Sequence, residues 1–216
     1  MKKMRFGIGG IMMIAAMLVS DSFRVLGVYV LAALLHEAGH ILAAFALKIE
    51  IKEIKLSFSG VRIITDERLT SYRSELLLAS AGPAINIAIF FAVLCYFMPL
   101  GGFLQMMESA GSFMAAETWS FDGAIGFFAL SSAAAAAVNL LPVNSFDGGR
   151  IIYCIIARLF DGRAASHVLS VTTAVSAFLL WTVALYLMLR ISAGLGIFVF
   201  AACIFAGTIG TREGIR

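Results

Sequence analysis

Residues 25–47 read VLGVYVLAALLHEAGHILAAFAL and carry His36, Glu37 and His40 inside an otherwise apolar run. About 20 apolar residues cross the hydrocarbon core of a bilayer, so this run is long enough to span it. On a helix, His36 and His40 stand one turn apart on the same face, where two imidazoles can grip one metal ion. Glu37 lies beside them, placed to take a proton from a water that the metal activates. Ionisable side chains at membrane depth are costly and are rarely there without a function. The stretch predicts half of a catalytic zinc site inside a membrane.

Composition agrees with that setting. Of 216 residues, 61% are hydrophobic and 13% charged, against about 25% charged in an ordinary soluble domain. Mean hydropathy is +0.97. Cys95, Cys154 and Cys203 are odd in number and lie in or beside apolar runs. They predict neither a disulfide framework nor a cysteine zinc site. The first 20 residues, MKKMRFGIGGIMMIAAMLVS, have the basic and apolar parts of a signal peptide without a convincing cleavage site, and read as a retained span.

Six apolar runs are expected to span, at roughly 6–20, 25–47, 76–99, 123–141, 168–189 and 191–210. With both termini in the cytoplasm, all of the 16 basic residues except Arg24 and Arg190 fall on the cytoplasmic side. Such a split follows the positive-inside rule and would scramble if one span were miscounted. Between the second and third spans, Ile49, Ile51, Ile54, Leu56 and Phe58 alternate with polar residues, and Ser59-Gly60 offers a turn. That is strand periodicity. The expected fold class is an all-α polytopic membrane protein of about six transmembrane helices, with a small β-hairpin at the cytoplasmic face. The hairpin either covers the bundle or offers an edge strand to an extended substrate, with Phe58 as a candidate contact. Residues 100–122 hold Glu108, Glu117 and Asp122 and no Lys or Arg, and read as an outer loop without chemistry.

A catalytic zinc usually takes three protein ligands and keeps one position for water. The third histidine, His167, reads as a loop or interfacial residue. The better candidate lies in NLLPVNSFDGGR, residues 139–150, at the cytoplasmic end of the fourth span. Pro142 breaks the helix there, and Gly148-Gly149 lets the backbone turn tightly. Asp147 emerges at the depth of His36 and His40 and is the expected third ligand.

The HEAGH helix, the segment Ala81-Gly82-Pro83-Ala84-Ile85-Asn86 and NLLPVNSFDGG together resemble the site-2 protease family of intramembrane zinc metalloproteases. The three motifs stand in the family's order within 25–150. The resemblance implies one membrane-embedded protease domain over 1–216, with Zn2+ on His36, His40 and Asp147 and Glu37 as catalytic carboxylate. It also implies a catalytic role for Asn139 near the scissile carbonyl, and substrate- or site-supporting roles for Gly82 and Asn86. Phe146 departs from the pattern, which usually has Leu before the Asp-Gly pair. The short six-span plan resembles the sporulation-type subgroup, whose members process a membrane-associated sigma-factor precursor. That subgroup often carries a C-terminal CBS domain, expected absent here because the chain stops at Arg216. Expected partners are a membrane-associated protein substrate, the lipid bilayer and an inhibitory membrane protein, with no nucleic acid. The expected location is a bacterial inner membrane. A divalent-metal transporter is the alternative from another class.

Overall fold

A computed structural model describes residues 4–6, 23–49, 51–57, 60–65, 71–115 and 119–191. Six α-helices are described: α1 Phe23–Ala46, α2 Tyr72–Phe97, α3 Gly102–Met114, α4 Phe121–Asn139, α5 Asp147–Leu159 and α6 Gly162–Ile191. Four of them contain segments long and apolar enough to cross a membrane: Gly27–Ala46, Tyr72–Leu100, Phe121–Asn139 and Gly162–Val183. At about 1.5 Å per residue, the 24 residues of α1 reach some 36 Å, enough for a core of about 30 Å. Of the six expected spans, four fall on these helices. The first, 6–20, and the last, 191–210, lie outside the described residues apart from their boundary positions Phe6 and Ile191.

The outward faces explain why these helices need lipid. Only 28% of the α1 segment is buried, and Leu34, Leu42 and Phe45 project from it, the last 84% exposed. In water, contiguous apolar surface of this kind would invite aggregation.

Helix α2 is the hub, packing on α1, α3, α4 and α5. Ser71 caps its start by accepting the Ser74 N–H at 3.2 Å, which satisfies one of the donors a helix N-terminus leaves open. Towards its far end Phe97 is fully buried with Met106 of α3 and Ala129 of α4. A second cluster joins Val25 of α1, Ala110 and Phe113 of α3 and Phe127 of α4. Phe127 stacks on Phe113 and meets the Tyr29 ring edge-on. Residues 100–122, expected as a plain loop, therefore contain a packed helix. Its buried residues Met106, Ala110 and Phe113 recur at helical spacing, a period that the surrounding Gly and Ser residues hid.

Between α1 and α2, β2 Ile51–Ser57 pairs antiparallel with β3 Gly60–Thr65, and β1 Met4–Phe6 pairs parallel with β2. The order is β1-β2-β3. Lys48 turns the chain out of α1 with a left-handed φ of 54°. Phe58 lies outside the described residues.

Helix α4 ends at Asn139 and the chain passes Pro142 in tight turns, with Val143 N–H donating to Leu141 O and Phe146 N–H to Val143 O. Phe146, the departure from the family pattern, is buried with Val143 against Val138, Leu141 and Leu180. The Asn144 N–H donates to Thr173 Oγ1 at 2.9 Å, tying this segment to α6.

Candidate metal centre

His36 and His40 leave the same face of α1, one turn apart, with rings edge to face and centroids 4.9 Å apart. Asp147, in the first turn of α5, meets both. Its Oδ2 lies 3.1 Å from His36 Nε2 and 3.1 Å from His40 Nε2, and the two Nε2 atoms are 3.2 Å apart. All three side chains are buried, and their candidate ligand atoms lie within 4.8 Å of one another. Two imidazole nitrogens and one carboxylate oxygen are donor types that could hold a metal ion, and of the kind that a catalytic zinc takes.

The carboxylate is held as an anion. Burial on its own raises the Asp147 pKa, but the hydrogen bonds from His36 and His40 outweigh it and bring the value down to about 2. Opposite charge and hydrogen bonding both favour the ionised form.

Two glycine features make the convergence possible. On α2, a Cβ at Gly82 would run into His40 Nε2 and stand 2.7 Å from His36 Nε2. Only a residue without a side chain lets α2 lie against the Nε2 edges of both rings. Gly39 of α1 meets α2 at the same level, where a Cβ would stand 2.7 Å from Ala81 O. Gly148 and Gly149 act likewise. A Cβ on Gly148 would meet the Leu140 and Leu141 carbonyl oxygens, and one on Gly149 the Val143 carbonyl. Both glycines are helical rather than left-handed. They permit close approach of α5 to the 140–144 segment, and Asp147 stands on a helix start rather than on the free turn the sequence suggested.

The outer sides of the rings are also occupied. His40 Nδ1 lies 2.8 Å from the Leu78 carbonyl oxygen, and His36 Nδ1 lies 3.3 Å from Asn86 Nδ2. Leu78 and Asn86 bracket Pro83, which lacks the N–H that would reach one turn back. Below the centre, Arg150 of α5 donates to Glu75 of α2, with Nε 3.0 Å from Oε1, joining the starts of the two helices.

Glu37 is half-buried on α1 between the two histidines. Asn139, also half-buried, donates from Nδ2 to the Ala135 carbonyl of its own helix at 3.0 Å. His167 is exposed on α6 and is not part of the His36–His40–Asp147 group. Burial pushes the Cys154 thiol up to about 11, which leaves it a neutral packing group. Sequence reasoning placed His36, His40 and Asp147, which the structure brings together. It left the Leu78 carbonyl unnoticed, since every residue carries such a group and no side-chain type marks it.

No curated protein matches this chain. Among solved structures, the fold is similar to the site-2 protease from Methanocaldococcus jannaschii, with a TM-score of 0.59 at 19% identity over 98% of this chain and 91% of that one. At that identity the likeness speaks for the fold. The sequence profile of peptidase family M50 matches residues 24–183, well over half of the chain. This chain belongs to peptidase family M50.

Proposed function

We propose that the chain is an intramembrane zinc-dependent endopeptidase that cleaves a membrane-tethered or transmembrane protein near the cytoplasmic face. The observation that carries this is the meeting of His36 Nε2 and His40 Nε2 on one Asp147 oxygen, inside helices built to face lipid. His36, His40 and Asp147 would hold the ion. When bound, zinc supplies a Lewis acid that polarises a carbonyl and activates water at neutral pH. Glu37, adjacent to His36, would take the proton from a water as the water oxygen bonds to the peptide carbon, and would give the proton to the amide nitrogen as the C–N bond breaks. Asn139 would steady the carbonyl oxygen after releasing its bond to Ala135.

A helical substrate shields its amides, so a segment must unwind to be cut. The β1-β2-β3 order leaves β3 as an outer edge, on which an extended segment can pair, with Gly82 lining the floor of the site; Phe58, next in sequence after β2, is the contact to try first. We place this sheet, and both termini, on the cytoplasmic side of a bacterial inner membrane, following the distribution of basic residues. By the sporulation-type resemblance, a membrane-associated sigma-factor precursor is the substrate class to try first, and an inhibitory membrane protein the partner to seek. Among the described residues one metal-binding group is found, which favours hydrolysis over a transport path with ligands on several spans.

The test is Glu37→Gln in proteoliposomes with a membrane-tethered reporter. Zinc content should stay at the wild-type level while cleavage falls by about 10²–10⁴-fold. Full cleavage with zinc correctly bound would remove Glu37 from the chemistry.

A further inference from the structure

A histidine that binds a metal through Nε2 must carry its hydrogen on Nδ1, and that hydrogen needs an acceptor. For His40 the acceptor is present in the Leu78 carbonyl, 2.8 Å from Nδ1. For His36 the group facing Nδ1 is the Asn86 amide, with Nδ2 at 3.3 Å. A nitrogen in that place donates into Nδ1 and drives the ring hydrogen onto Nε2, where it blocks the metal. An amide's nitrogen and oxygen exchange by a half-turn with no change of shape, and hydrogen bonding alone says which is which. Asn86 Oδ1 is buried without a hydrogen-bond partner, and the whole residue is 0% exposed. In the metal-free chain either orientation pairs one amide atom. A metal decides between them, because only the oxygen leaves His36 Nε2 bare.

The stripe that does this is regular. Leu78, Gly82 and Asn86 are four residues apart along α2 and so share a face. Leu78 meets His40, Gly82 lies against both rings and Asn86 meets His36.

We infer that Asn86 is a positioning residue: its amide oxygen accepts the Nδ1 hydrogen of His36 and holds the tautomer that presents Nε2 to the metal. Full burial behind the ring gives it this role rather than a contact with substrate. The inference rests on the metal reading proposed above.

The test uses the full chain in detergent, titrated with zinc against a chelator of known affinity. Asn86→Leu keeps the size and removes the acceptor, and should weaken zinc binding by about 10–100-fold. Asn86→Asp, as the carboxylate, can only accept, and should bind zinc as the wild type does. The chain has three histidines, so ring-15N spectra of the metal-free variants are simple to assign. His36 should carry a proton on Nδ1 in Asn86→Asp, and on Nε2 alone, facing Asp147, in Asn86→Leu. Equal zinc affinity in wild type and Asn86→Leu overturns the inference, and so does loss of zinc by Asn86→Asp, which decides the matter alone if the leucine variant does not fold. A wild-type chain that binds no zinc overturns the metal reading together with this one. That result is distinct from failure of the inference alone, where wild type and leucine variant both bind.

Discussion

One methyl group at position 82 should disable the metal centre while leaving the bundle standing. A Cβ on Gly82 would run into His40 Nε2 and stand 2.7 Å from His36 Nε2 and 2.8 Å from its Cε1, where ordinary contact begins at 3.4 Å. The His36 ring would have to retreat by about 0.7 Å and the His40 ring by more, against a tolerance of about 0.2 Å in metal–ligand distance. Retreat from α2 would also stretch the bond from His40 to the Leu78 carbonyl, which belongs to the same helix that carries the new methyl. Zinc affinity should fall by about 10–100-fold, and cleavage by about 10²-fold. Stability should change little by comparison. Alanine is better than glycine inside a helix by about 1 kcal/mol, which offsets part of an overpacking cost of about 1–3 kcal/mol. The assay is zinc competition on purified Gly82→Ala, with circular dichroism to follow the helices. Zinc bound as tightly as in the wild type would show that α2 backs away freely, and the cradle argument would fail.

Asp147→Asn keeps the shape and removes the anion, so zinc should be lost on dialysis; metal analysis showing full occupancy would exclude Asp147 as a ligand. Gly148→Ala sets a methyl against the Leu140 and Leu141 carbonyls, backbone that cannot rotate away, and should destabilise the chain by about 1–3 kcal/mol. A thermal midpoint in detergent equal to that of the wild type would contradict this. Arg150→Gln breaks a pair whose side chains are 32% and 24% exposed, and should cost at most about 1 kcal/mol, less in high salt. A larger, salt-independent loss would mean that the pair is better shielded than its exposure indicates.

The candidate site was legible in the sequence where chemistry-bearing side chains sit in a periodic setting. His36 and His40 at helical spacing in an apolar run needed no structure, and Pro142 with Gly148-Gly149 pointed to Asp147. Less could be read where the partner is backbone or the absence of a side chain. Nothing in a sequence says that the Leu78 carbonyl meets His40, or that Gly82 is small because two imidazoles lie over it. Asn86 stood in a recognisable segment, but its facing His36 across 50 positions depends on how α1 and α2 cross. Asn139, expected near the scissile carbonyl, bonds within its own helix, a choice that local geometry makes and residue type does not reveal. Helix α3 had a readable period in Met106, Ala110 and Phe113, but residues 100–122, acidic and without Lys or Arg, read as an outer loop.

His36 and Asp147 are 111 residues apart in sequence, so an ion held by both would close a loop containing β2, β3 and three α-helices. Such an ion binds the folded arrangement and not the unfolded one, and at 100 times its Kd it adds about 2.7 kcal/mol to stability. Without it, α5 is kept in place by the Phe146 cluster, the Asn144–Thr173 bond and the Arg150–Glu75 pair. Metal supply would then govern lifetime as well as turnover. A starved cell would hold fewer copies of the chain, because quality-control proteases would clear the loosened form before it met a substrate.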